Sequence, residues 1–137
     1  MAQIPCSIKV HSRQVMGHDR DETIEEYEGV FMDRADKKYL SYKRDDGECH
    51  CSVLLCFTGD KLVLKQQGDI NSVMEFQAGK KTVNEYGTPA GKLMLSLFTR
   101  ELEIWQGKDN IDILMDYDLI TGGEPIQNRM HITASFR

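Results

Sequence analysis

From Ile111 to Leu119 the chain alternates between two faces. Ile111, Ile113, Met115, Tyr117 and Leu119 hold the odd positions, while Asp112, Leu114, Asp116 and Asp118 hold the even ones. A pleated strand sends successive side chains to opposite sides, so this pattern predicts a half-buried strand with an acidic outer face. Ile126 to Phe136 repeats the design. Asn128, Met130, Ile132, Ala134 and Phe136 share one side with Ile126, and Gln127, Arg129, His131, Thr133 and Ser135 share the other. Between the two segments lies Thr121-Gly122-Gly123-Glu124-Pro125, whose turn chemistry predicts a hairpin. Centred between Gly122 and Gly123, that hairpin makes Tyr117 and Asn128 direct cross-strand neighbours, both pointing inward.

Turn residues punctuate the rest of the chain at Gly17-His18-Asp19, Asp33 to Asp36, Asp45-Asp46-Gly47, Gly59-Asp60, Gly68-Asp69, Ala78-Gly79, Gly87 to Gly91 and Gly107 to Asn110. The segments between them are rich in β-branched and aromatic residues and lack a helical period. Arg20 to Glu28 is the one competitor, but its apolar stripe of Ile24 and Tyr27 is too thin to anchor a helix. It reads as a charged strand. Leu93, Leu95 and Leu97 are odd, whereas Leu102 and Ile104 are even. A strand changes its buried face only by adding a residue, which predicts a bulge or bend near Thr99 to Glu101. Short strands at near-regular spacing are the mark of a single all-β domain, a sandwich or a barrel, and a long bent strand is what closing an antiparallel β-barrel of about eight to ten strands requires.

Composition narrows the class. With 137 residues, 40% hydrophobic and 28% charged, the chain reads as one soluble globular domain spanning 1–137. A net charge of −5 disfavours nucleic acid as a partner, because phosphate binding needs a basic face. The Met1 to Cys6 start lacks a basic stretch followed by an apolar run, and apolar runs such as Leu93 to Leu95 are far too short for a membrane helix. The expectation is therefore a cytoplasmic protein with no membrane partner. Its four cysteines, Cys6, Cys49, Cys51 and Cys56, are then expected to be reduced thiols.

Tyr39-Leu40-Ser41-Tyr42 and Tyr86-Gly87-Thr88-Pro89-Ala90-Gly91 carry a family resemblance. The second stretch runs into Lys92-Leu93, an alternating strand and Thr99. With the Ile113 to Leu119 strand and the Asn128-Arg129-Met130-His131-Ile132 finish, the chain resembles the YwiB-like family of small bacterial proteins, a domain of unknown function. The likeness covers nearly the whole chain. It implies a calycin-like (lipocalin-like) closed barrel in a bacterial cytoplasm, and no activity or catalytic residues with it. Cys49-His50-Cys51 is not part of that family pattern.

Candidate chemistry is thin. On a regular strand Cys49 and Cys51 would sit about 7 Å apart on one face with His50 on the other, and zinc ligands ordinarily have two to four intervening residues. The expectation is no metal. Gly87-Thr88-Pro89-Ala90-Gly91-Lys92 departs from a phosphate loop in spacing, and Leu93 stands where Ser or Thr is needed. Asp112, Asp116 and Asp118 fall on the outer face, where solvation is the plain reading. His11, His18, His50 and His131 are scattered, and no nucleophile elbow exists. No catalytic residue and no cofactor are expected.

Two readings of function remain. One is a non-enzymatic barrel holding a small apolar or amphipathic ligand inside, with Tyr86, Leu95, Tyr117, Asn128 and Met130 as interior candidates. The inward faces are expected to offer few charges, and Tyr117 and Asn128 either satisfy each other or orient the ligand. The other is a structural or interaction module, monomer or homodimer, whose barrel is filled by its own side chains and which acts through its outer surface. A cavity of about 300 Å³ or more favours the ligand.

Overall fold

The computed structural model describes residues 3–45, 47, 49–120 and 122–137. Asp46 and Thr121, each part of an expected turn, lie outside the described residues. The chain forms ten strands: β1 (Gln3–Met16), β2 (Asp19–Arg34), β3 (Lys37–Asp45), β4 (His50–Phe57), β5 (Lys61–Gly68), β6 (Asn71–Gln77), β7 (Lys81–Thr88), β8 (Gly91–Gln106), β9 (Asn110–Ile120) and β10 (Ile126–Phe136). Each pairs antiparallel with its sequence neighbour, and β1 pairs with β10 to close the barrel. Closure gives every one of these strands two neighbours, which removes the usual route to edge-to-edge aggregation.

The period-two patterns become the barrel's inside and outside. On β9, Ile111, Ile113, Met115 and Tyr117 are buried; on β10, Asn128, Ile132 and Ala134 are. The hairpin register runs Ile126↔Leu119, Gln127↔Asp118, Asn128↔Tyr117, as a centre between Gly122 and Gly123 requires. Arg20 to Glu28 is strand, within β2. The register shift falls between Thr99 and Glu101. It leaves Arg100 on the outer side, where the guanidinium forms ion pairs with Asp116 and Asp118. His131 and Thr133 both hydrogen-bond Asp112, at 3.1 and 3.0 Å. The acidic stripe is thus a paired outer surface rather than a bare one.

One half of the interior is solid. Phe31, Phe57, Phe76, Leu40, Leu55 and Leu62 are fully buried there, and Phe31 stacks on Phe136 with ring centroids 5.1 Å apart. Packing of this kind fills a small barrel with side chains.

Strands β6 and β7 share only Asn71↔Gly87 and Ser72↔Tyr86 in register. Beyond that point side chains replace the ladder. The side-chain oxygen of Asn84 accepts from the Glu75 amide at 3.2 Å, and the Thr82 hydroxyl donates to the Glu75 carbonyl at 3.1 Å. Asn84 also donates to Thr82 Oγ1 at 2.9 Å. Buried backbone groups need partners, and these two side chains supply them where the strands splay.

Candidate functional site

Toward the opposite end, the inward positions turn polar while the strands continue. Register pairs Val10↔Glu25, Ser12↔Thr23 and Gln14↔Asp21 set alternate β1 and β2 side chains facing inward. Tyr42 and Arg44 do the same on β3. Together with Tyr27, Gln66 and Met130 they surround a cavity of about 290 Å³, floored by Val10, Val53 and Leu64. The volume stands just under the size expected of a ligand site.

Asp21, Glu25 and Arg44 in this lining correct the expectation that the inward faces offer few charges. The Tyr27 hydroxyl donates to the Glu25 carboxylate, and the Tyr27 and Tyr42 rings stack at 4.7 Å. Three buried side-chain oxygens lack a hydrogen-bond partner among the described residues, Gln66 Oε1, Ser72 Oγ and Thr99 Oγ1, and of these residues only Gln66 lines the cavity. Gln66 and Ser72 are direct cross-strand neighbours, so an amide oxygen that only accepts sits opposite a hydroxyl that can donate or accept.

The tyrosines are the titratable groups that burial changes most. Burial, followed by the Glu25 charge, pushes Tyr42 up to about 12. Burial, then Tyr86, does the same to Tyr117. Burial also raises Tyr27 and Tyr86. Each phenol holds its proton more tightly folded than unfolded. The stability this supplies is therefore complete below the unfolded value near 10 and is lost as pH rises toward 12. The unfolding free energy from urea titrations should stay level through neutral pH and fall from about pH 10 upward, by roughly 2–3 kcal/mol for each of the two well-buried phenols, Tyr42 and Tyr117. Tyr117→Phe should flatten part of that fall; an unchanged slope would show that Tyr117 is not the group titrating.

The five interior candidates separate. Met130 lines the cavity. Tyr117, Asn128 and Leu95 are buried elsewhere in the interior, and Tyr86 is half-buried on β7. Tyr117 and Asn128 are cross-strand neighbours but do not satisfy each other. Asn128 donates to the Ile126 carbonyl at 3.0 Å, and the Tyr117 ring packs edge-on against Phe76 at 4.9 Å. A side chain two residues from a strand's start reaches its own backbone more easily than a partner's ring. Met130 is the one lining residue that sequence reasoning named as an interior candidate; among those it missed, Asp21, Thr23 and Glu25 sit at odd positions of β2 with Tyr27 and Phe31. The parity was readable, but their polarity pointed outward.

Cys49 and Cys51 differ from the regular-strand expectation. Their sulfurs lie 2.9 Å apart and both residues are buried. Cys49 precedes β4 and is not held to strand geometry, so its side chain can fold back onto Cys51. No group of three or more metal-ligating side chains occurs among the described residues. Gly87 to Lys92 is a hairpin connection in which the Thr88 hydroxyl donates to the Gly91 carbonyl at 3.1 Å.

Fold and cavity together define a small closed antiparallel barrel, solid at one end and hollow at the other. The chain belongs to the family described as Domain of unknown function (DUF1934), whose pattern matches residues 8–132. The ywiB protein from Bacillus subtilis has the same fold: 18% identity, TM-score 0.90, covering 98% of this chain and 93% of that one. A protein of unknown function from Bacteroides ovatus shares 13% identity at a TM-score of 0.40, over 98% of this chain and 41% of that one. Among curated proteins no match is found.

Proposed function

We propose that this barrel is a non-enzymatic cytoplasmic binding protein for a small amphipathic molecule rich in hydrogen-bond donors. The observation that carries this reading is the buried Gln66 Oε1, which belongs to the lining of a cavity of about 290 Å³ and has no partner among the described residues. A buried acceptor left unpaired costs about 1–3 kcal/mol, and a hydroxyl or amine from a ligand would recover it. Glu25 and Asp21 extend the acceptor side of the wall, and Val10, Val53, Leu64 and Met130 offer the apolar contact.

Native mass spectrometry on protein purified from its own host tests this, by comparing native with denatured mass. A released non-protein mass near one per chain is expected, and Gln66→Leu should weaken its retention roughly fivefold to tenfold. A clean apo mass would sink the reading. It would favour instead an interaction module acting through its outer surface, for which the exposed apolar side chains Val73, Val83, Leu93 and Met94 on β6 to β8 are the supporting observation. The same spectrum reports whether the chain is a monomer or a homodimer.

A further inference from the structure

Cys49 lies one residue ahead of β4, and Cys51 is the second residue within it. Their sulfurs are 2.9 Å apart, about 0.9 Å more than a disulfide bond. Two thiolates on one tetrahedral zinc, each bonded at about 2.3 Å, stand roughly 3.8 Å apart. The observed spacing stands about 0.9 Å from each, and because no group of three metal-ligating side chains occurs among the described residues, the covalent pair is the closure open to these two sulfurs.

The surrounding backbone is fixed. The turn after β5 clasps this segment: His50 N–H donates to the Asp69 carboxylate at 3.0 Å, and Asp69 N–H donates to the His50 carbonyl at 3.0 Å. Cys51 Sγ accepts from the Ile70 amide at 3.4 Å. Gly68 makes the clasp possible, since a Cβ there would stand 2.3 Å from the His50 carbonyl oxygen. Cys49 and Cys51 each keep 6% exposure, whereas Cys6 keeps 1% within the core. Burial raises the Cys6 thiol, which makes it inert. Cys56 has the opposite parity on β4 and faces away from the pair.

We propose that Cys49 and Cys51 form a dithiol that exchanges with low-molecular-weight disulfides and closes to a Cys49–Cys51 disulfide. One cysteine, as thiolate, attacks a sulfur of the small disulfide. That S–S bond breaks, a mixed disulfide forms, and the first small thiol leaves with the electron pair and takes up a proton. The neighbouring cysteine then attacks the protein sulfur of the mixed disulfide and expels the second small thiol, which takes up the other proton. Two protein thiols are oxidised, one small disulfide is reduced to two thiols, and no further reactant is needed.

The test uses the full chain, reduced and then incubated with oxidised glutathione. After an acid quench and alkylation, intact mass and peptide mapping are read. The expected product has lost two hydrogens at the Cys49–Cys51 peptide, which retains no glutathione and takes no alkyl group once the protein is unfolded, whereas any adduct on the outward-facing Cys56 maps to a separate position. Cys51→Ser and Cys49→Ser should each stop at a single glutathione adduct on the remaining cysteine of the pair, with circular dichroism confirming that the barrel persists. A wild-type chain that keeps a glutathione adduct on Cys49 or Cys51, or in which both of these cysteines stay alkylatable, overturns the proposal without reference to the variants.

Discussion

Replacing Phe31 with alanine is expected to lower the unfolding free energy by about 3–5 kcal/mol. Its ring is fully buried at the solid end of the barrel and stacks on Phe136. Truncation removes apolar area from burial and leaves a void that neighbouring strands cannot close, because every one of them is tied to two others. A domain of this size has about 5–15 kcal/mol in total, so the loss is a large share. Chemical denaturation followed by circular dichroism reads it. Val83→Ala, at an exposed outer position, should change stability by less than about 0.5 kcal/mol. Equal effects at the two sites would mean that the end around Phe31 is not packed.

Gly68→Ala should cost on the order of 3 kcal/mol, combining backbone strain with overlap. Gly68 has φ +139, a conformation that side chains avoid, and the new Cβ would stand 2.3 Å from one backbone oxygen. Neither problem has a local remedy, because that oxygen already accepts from Asp69. Gly29→Ala is the useful comparison. Its φ is ordinary, and its Cβ would meet the Ser41 carbonyl oxygen at 2.4 Å and Ile8 Cδ1 at 2.5 Å. It should cost less, about 1–3 kcal/mol from overlap alone. Thermal unfolding ranks the two, and a Gly68→Ala barrel as stable as the parent would show that the clasp on Cys51 is loose.

The strands are legible because burial on one face writes itself into a sequence at a period of two. Ile111 to Leu119 and Ile126 to Phe136 show this, and their hairpin register follows from the turn's centre alone. The bulge at Thr99 to Glu101 is equally readable, since a strand switches parity only where its ladder gains or loses a residue. The cavity is not. Asp21, Thr23 and Glu25 look like solvent-facing residues, and only the barrel's closure reveals that their side of β2 is the inside. Tyr117 and Asn128 are neighbours as their spacing from the turn requires, yet their polar atoms go to different uses because local backbone geometry decides for Asn128. The distance between Cys49 and Cys51 departs from expectation for a similar reason. Strand spacing does not apply to a residue just before the strand begins.

The β1–β10 seam also governs how the molecule comes to exist. It joins positions more than a hundred residues apart, such as Cys6 and Phe136, so its closure carries the largest loop entropy of any pairing in the barrel. All other neighbours meet through short hairpins that can form early and locally. During synthesis, the first nine strands can assemble into a curled sheet whose two margins, β1 and β9, remain open until β10 arrives between them. That interval is when intermolecular pairing is easiest. Refolding yield should therefore fall with protein concentration far more steeply than the closed, edge-free barrel would suggest.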